Sequence, residues 1–271
     1  MNGASREALA AARERLDALT DNTSVDAARL AAELAAVTAL LDREVSLRRV
    51  LTDPAQSGEA KAELAQRLLG TQISGTAADL VAGLVRSRWS QSRDLVDALE
   101  QLADVADLTA AQRAGTLDDV EDELFRFGRI VASNVELRAA LTDRKATASS
   151  KGELLRSLLG GRADAATERL VTRLVTAPRG RSLEAGLESL SKLAAARRDR
   201  MVAVVTSAVP LSVPQRQRLG AALAKLYGRT MHLNLDVDPE VLGGIRVQVG
   251  DEVINGSLAD RIEDAARRMA S

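Results

Sequence analysis

A lysine two residues ahead of a glutamate occurs twice in this chain, as Lys61-Ala62-Glu63-Leu64 and Lys151-Gly152-Glu153-Leu154. An amine beside a carboxylate is a minimal kit for general acid–base work. Both copies run into leucine pairs, Leu68-Leu69 and Leu158-Leu159, so the motif is read as a solvated helix face over the edge of a leucine core. His232 is the only histidine, which removes two-histidine metal sites and weakens any Ser-His triad. Beside Met231 it reads as a structural or exposed strand residue. The chain has no cysteine, which excludes disulfides, thiolate catalysis and cysteine-ligated zinc. Gly243-Gly244 could let backbone approach a phosphate, but it precedes a strand pattern and lacks GxGxxG or a Walker lysine. A bend at the start of that strand is the expectation. Asp236 and Asp238 lack further ligands for calcium. Trp89, in Arg86-Ser-Arg-Trp-Ser90, could anchor a partner and is read as a half-buried residue closing a bundle. No catalytic, metal-binding or cofactor-binding residue is expected.

The elements that must position these residues are mostly helices. The 271 residues allow one large or two to three small domains. Aromatics make up only 1%, so cores must be built from Leu, Val, Ile and Ala, which suits close-packed helices. The net charge of −1 argues against a dedicated nucleic-acid binder. No apolar run approaches the roughly 18–20 residues of a membrane span, and no secretory leader opens the chain. A soluble, cytoplasmic protein is expected.

Compared with itself at an offset of 90 residues, the chain matches without gaps. Leu51-Thr52-Asp53 aligns with Leu141-Thr142-Asp143, the Lys61 motif with the Lys151 motif, and Leu80-Val81-xx-Leu84-Val85 with Leu170-Val171-xx-Leu174-Val175. Between 30–85 and 120–175, 18 of 56 pairs are identical, against roughly 4–5 expected by chance, so the repeat is real. Each copy reads as a helical bundle. Leu30, Leu34, Val37, Leu41 and Val45 keep helical spacing, as do Val120, Leu124, Phe127, Val131 and Val135. Asp53-Pro54 reads as a turn or helix start, and Gly70 and Gly160 as C′ glycines. The expected domains are 1–110, 111–200 and 201–271. The first carries 12 basic and 17 acidic groups (−5), the second 17 and 13 (+4), and the third 8 of each. Similar frames with opposite charge imply different neighbours.

After Arg200 the pattern changes. Val202–Val209 is β-rich and reads as a buried strand. Ser212-Val-Pro-Gln215 resembles a capping box, opening a helix with Leu219, Ala222, Leu223 and Leu226 that stops at Gly228. Met231, Leu233, Leu235 and Val237 alternate as a second strand, parallel to the first if both share a sheet. Ile245, Val247 and Val249 form a third, with a Gly250-Asp251 turn into Val253-Ile254. Asn255-Gly256 turns the chain into a last helix with Leu258, Ile262, Ala266 and Met269. The fold class expected is mostly α, a duplicated helical bundle followed by a small β-α-β-β-β-α module.

Three segments in order then carry a resemblance: Val205-Thr-Ser-Ala-Val-Pro-Leu-Ser212, Asp238-Pro-Glu-Val-Leu-Gly-Gly-Ile-Arg-Val247 and Val253-Ile-Asn-Gly-Ser257. They resemble the signature of the delta subunit of bacterial F-type ATP synthases, whose mitochondrial counterpart is the oligomycin-sensitivity-conferring protein. Asn255 stands where many members carry Asp, and both suit a turn before glycine. Upstream, Leu137-xxx-Leu141-Thr-Asp143, Lys151 and Leu158-Leu159-Gly160 look like the family's helical domain, so the resemblance covers 111–271. The first 110 residues look like an added copy of that domain, as in extended actinobacterial members. Five lysines against 32 arginines fit a GC-rich genome.

The resemblance implies a non-catalytic peripheral-stalk (stator) subunit without cofactors. Its helical domain would clamp amino-terminal helices of alpha subunits and its carboxyl-terminal domain would hold the end of the b stalk. It would meet the membrane only through the complex, on the cytoplasmic face. By family analogy the docking groove lies between the first and fifth helices of a bundle. Leu9, Ala12 and Leu16 with Leu80 and Leu84 would line it in the first copy, and Leu99 and Leu102 with Leu170 and Leu174 in the second. The alternative is a helical-repeat adaptor for amphipathic peptides outside energy conversion. An enzyme holding a nucleotide at Gly243-Gly244 is a further alternative, with no supporting motif.

Overall fold

The computed structural model describes residues 2–21, 24–198, 201–227, 231–238, 244–249 and 252–255. It divides into two compact units, 1–197 and 198–271.

The first unit is all helix: α1 (Gly3–Asp21), α2 (Ala27–Arg43), α3 (Val45–Thr52), α4 (Gly58–Leu69), α5 (Gly75–Arg86), α6 (Ser92–Ala114), α7 (Leu117–Ser133), α8 (Val135–Thr142), α9 (Ala148–Leu159), α10 (Ala165–Thr176) and α11 (Leu183–Arg198). Shifting α2 to α5 by 90 residues lands on α7 to α10 at their first residues, and the repeat is therefore structural as well as textual. Starts are set by side-chain caps. Ser57, Ser74, Thr147 and Asp164 accept a backbone N–H from the first turns of α4, α5, α9 and α10, each relieving one of the orphan donors of a helix end. Asp53 and Asp143 make matching turns, accepting from the amides of Ala55 and Lys145.

A repeated glutamate locks each bundle. Glu33 on α2 accepts from Ser74 Oγ at 2.5 Å, and Glu123 on α7 accepts from Thr167 Oγ1 at 2.6 Å and from the Asp164 amide. Burial of Glu33 pushes its carboxyl upward, but the Ser74 and Arg29 hydrogen bonds outweigh that and hold it below its ordinary value.

Several sequence expectations change in detail. Val45 and Val135 do not continue the preceding apolar stripe: the helix breaks at Glu44 and at Asn134, and both valines are exposed. Asn134 caps the new helix by accepting from the Leu137 amide. Gly70 and Gly160 follow their helices but do not turn left-handed, with φ −60° and −56°. Glycine is required there by close approach, since a Cβ would lie 2.6 Å from the Gln66 carbonyl oxygen and 2.5 Å from that of Arg156. Lys61 and Lys151 do not lie on an open helix face, their residues being only 5% and 9% exposed.

Helix α6 is the unusual element. Moved back by 90 residues it falls on α1, and moved forward it falls on α11. It is at once the last helix of the first bundle and the first of the second. Accordingly 15 of its 23 residues are buried. Leu95, Leu99, Leu102, Ala103 and Ala106 belong to the first core, with Leu30, Leu34, Leu80 and Leu84. Leu108 and Ala111 belong to the second, with Leu124, Leu155, Leu170 and Leu187. Gly115, at φ +75°, ends it, and the Thr116 amide bonds back to the Ala111 carbonyl, a six-to-one closure that glycine makes accessible. Residue 110 lies inside this helix.

The second unit holds β1 (Met201–Ser207), α12 (Val213–Tyr227), β2 (Met231–Val237), β3 (Ile245–Val249) and β4 (Glu252–Asn255), in a sheet of order β2-β1-β3-β4. β1 and β2 are parallel across the α12 crossover, and β3 runs antiparallel to both β1 and β4. The Ser212 amide donates to Gln215 Oε1 at 2.8 Å, one half of the expected capping box. Val205, Leu223, Val247 and Val249 form the core, whereas Leu226, expected on the buried face, is exposed. Gly244, at φ +86°, sits immediately before β3, where a bend was expected. Gly228, Gly243, Gly250-Asp251 and the last helix with Leu258, Ile262, Ala266 and Met269 lie outside the described residues.

Candidate subunit-docking seams

Two helix pairs correspond to the expected first-and-fifth-helix grooves: α1 with α5, and α6 with α10. In the first, Ala12 and Leu16 of α1 and Leu80 and Leu84 of α5 share one aliphatic core, with Leu9 half-buried at its margin. Gly83 leaves α5 bare at this seam, so that the Arg15 side chain passes over it. Trp89 closes the end of the bundle. It is half-buried against the same core, and its Nε1 donates to the Leu84 carbonyl at 2.8 Å.

The second pair is built differently. Leu170 and Leu174 lie in the second core, but Leu99 and Leu102 are spent in the first. The structure does not gather these four as it gathers their counterparts. The reason is the shared helix: an apolar face already buried in one bundle cannot serve another. What α6 turns toward α10 is an acidic face. Asp107 accepts from Arg169 Nε at 2.6 Å and pairs with Arg173, and Asp104 lies 3.2 Å from Arg173. Glu100 pairs with Arg179 and, at 2.6 Å, with Arg181. Arg179 takes φ +46°, a left-handed conformation that costs a non-glycine residue about 1 kcal/mol or more.

Burial dominates the titration of this face. It raises Asp104 from 3.8 to about 7, against the pull of Arg173 and with further push from Glu100 and Asp107. Asp107 is likewise raised, by burial first, despite Arg173 and Arg169. The ion pairs were not anticipated from sequence, although the signal was present. Glu100, Asp104 and Asp107 are spaced to share one helix face, as are Arg169 and Arg173.

Among the described residues no group of three or more acidic or histidine side chains is placed to hold a metal, and no helix is long and apolar enough to cross a membrane. His232 pairs with Val202 across β1 and β2. Asp236 and Asp238 sit at the end of β2, where the Asp238 amide bonds the Ser207 carbonyl.

A duplicated helical bundle joined to a four-stranded mixed sheet with one crossover helix is the class of protein this fold defines. The sequence profile of the ATP synthase delta (OSCP) subunit family matches residues 105–269. The ATP synthase subunit delta of Streptomyces coelicolor is 85% identical over 271 residues, covering 100% of this chain and 99% of that protein. The proteins of the same name from Streptomyces avermitilis and Thermobifida fusca are 82% and 50% identical, each over all of this chain and 99–100% of their own length. The chain belongs to the ATP synthase delta (OSCP) subunit family. Residues 1–104 lie outside the family profile and are matched in these relatives as well.

Proposed function

We propose that this chain is a non-catalytic stator subunit of an F-type ATP synthase. In this reading it joins alpha subunits at the top of the catalytic head to the b-subunit stalk, on the cytoplasmic face of the cell membrane. The observation that carries it is end-to-end similarity to proteins named ATP synthase subunit delta, 85% identical in one case. A general peptide adaptor would leave the match over 105–269 without a reason. The physical requirements also agree. A stator resists torque through wide buried contacts, which large aliphatic helical surfaces supply.

Three working parts follow: 1–110, 111–200 and 201–271, with α6 common to the first two. The helical parts receive amphipathic alpha-subunit helices and the last part holds the b subunit. In the first seam, Leu9, Ala12, Leu16, Leu80 and Leu84 set the spacing of α1 and α5, and parting them exposes chiefly apolar surface, beside the Arg15 side chain over Gly83, for an incoming helix to cover. In the second, Leu99, Leu102, Leu170 and Leu174 lie behind the ion pairs of α6 and α10. Opening that seam would strand the Asp107 carboxylate, which is expensive. The two copies therefore engage their partners differently, and α1–α5 is the seam that opens. The test is cross-linking of the assembled complex. Cross-links from alpha amino termini should fall on α1 and α5, and those from the b subunit on 201–271. A chain that fails to co-purify with alpha and b subunits would sink the reading.

A further inference from the structure

A cleft of about 1060 Å³ opens in the second bundle between α8, the α8–α9 turn and the α10–α11 loop. Arg138, Arg144, Lys151 and Arg181 line it, with Glu184 as the opposing charge. Its apolar lining comes from Leu141, Leu174 and Leu183, all buried. Lys151 is 9% exposed, and among the described residues its ammonium has no hydrogen bond or ion pair. Its stem is buried while its ammonium faces the cleft, so a ligand carboxylate could pair with it without displacing a protein partner.

The matching positions of the first bundle show that the fold does not require this arrangement. There Arg48, the counterpart of Arg138, is engaged by the Leu41 and Asp42 carbonyls and lies 3.8 Å from the Asp42 carboxylate. The counterpart of Asp42 is Ala132, and Arg138 has no such partner. Pro54 stands where the second bundle has Arg144, and Gln91 where it has Arg181. Trp89, whose Nε1 bonds the Leu84 carbonyl, is replaced by Arg179, which pairs with Glu100. The changes at 132 and 144 free or add positive charge at one place, on Arg138 and Arg144, while Arg181 is held by Glu100.

We infer that this cleft is a docking site for an acidic amphipathic chain segment, with a carboxylate meeting Lys151, Arg138 and Arg144 and an apolar side chain on the leucine floor. The site shares only Leu174 and Arg181 with the seams above and does not depend on the stator reading. The positive balance of residues 111–200, 17 basic against 13 acidic groups, would steer such a segment toward it.

The test uses the full-length chain and fluorescence anisotropy. The probes are a panel of fluorescein-labelled dodecapeptides with Leu and Glu in every helical and extended register, each paired with its Gln-for-Glu counterpart. At least one Glu peptide should bind about tenfold tighter than its Gln partner, a preference that high salt removes. The preference should vanish in the R138Q/R144Q double variant and in Lys151→Met, and persist in Lys61→Met in the first bundle. Arg144 is exposed, so its replacement leaves the fold intact even if Lys151→Met does not. No charge preference across the panel would overturn the inference, as would equal losses from Lys61→Met. Displacement by inorganic phosphate with no peptide preference would make it a small-anion site and overturn it as well.

Discussion

Asp104 and Asp107 are close neighbours on α6, face the same arginine and are both raised by burial, but they differ in how many arginine contacts a substitution removes. Asp104, raised to about 7 by burial, favours folding while protonated. Its contribution is fully present below the unfolded value near 3.8 and is lost as pH rises through 7. Asp104→Asn removes that dependence. Relative to the parent, the variant should gain thermal stability between pH 5 and pH 8, as read from melting midpoints at the two pH values. Asp107 is fully buried and carries two arginine contacts. Asp107→Ala should cost about 3 kcal/mol in urea unfolding, because it takes from Arg169 its carboxylate and leaves Arg173 with Asp104 alone. The residue scale is also where sequence reasoning fell short. Lys61 and Lys151 carry the same local words as a solvated lysine, and only the neighbouring helices decide their burial. For Lys61 that burial lowers the ammonium below its ordinary value, against the attraction of Asp53.

At the scale of elements, the apolar spacing located the buried faces well. Leu30, Leu34, Val37 and Leu41 are buried as their period requires, as are Val120, Leu124, Phe127 and Val131. The parallel β1–β2 pair and the β3–β4 hairpin were equally legible, because alternation and crossover handedness leave few topologies. What the pattern did not contain is the double use of α6. A helix buried on one side and a helix buried on two differ in sequence mainly by a few polar residues, here Glu100, Asp104 and Asp107, whose partners lie 62–81 positions away. The contact of α10 with α11 gives a direct test. A Cβ on Gly186 would lie 2.2 Å from Leu174 Cδ1 and 3.0 Å from its Cγ, so more than the side-chain tip must move. Gly186→Ala should destabilise the second bundle by about 1–3 kcal/mol, seen as a lower urea midpoint. Leu16→Ala in the first seam should cost about 2–5 kcal/mol by leaving a cavity.

For the helical unit as a whole, the shared helix decides which pieces can fold alone. Fragments 1–114 and 92–198 each contain a full set of six helices and should unfold cooperatively by circular dichroism. Fragment 115–198, which lacks α6, should not. The same geometry has a consequence for how such a chain can grow or shrink over generations. Because one helix ends one bundle and begins the next, the heritable unit is 90 residues, not the roughly 110 of a complete bundle. Removing one full period between equivalent turns, for example residues 54–143, would join α3 to α9 through a matching turn and restore a single complete bundle. A gene could therefore pass between the long and short forms in one in-frame step, at many points along the repeat, with no unpaired helix left over.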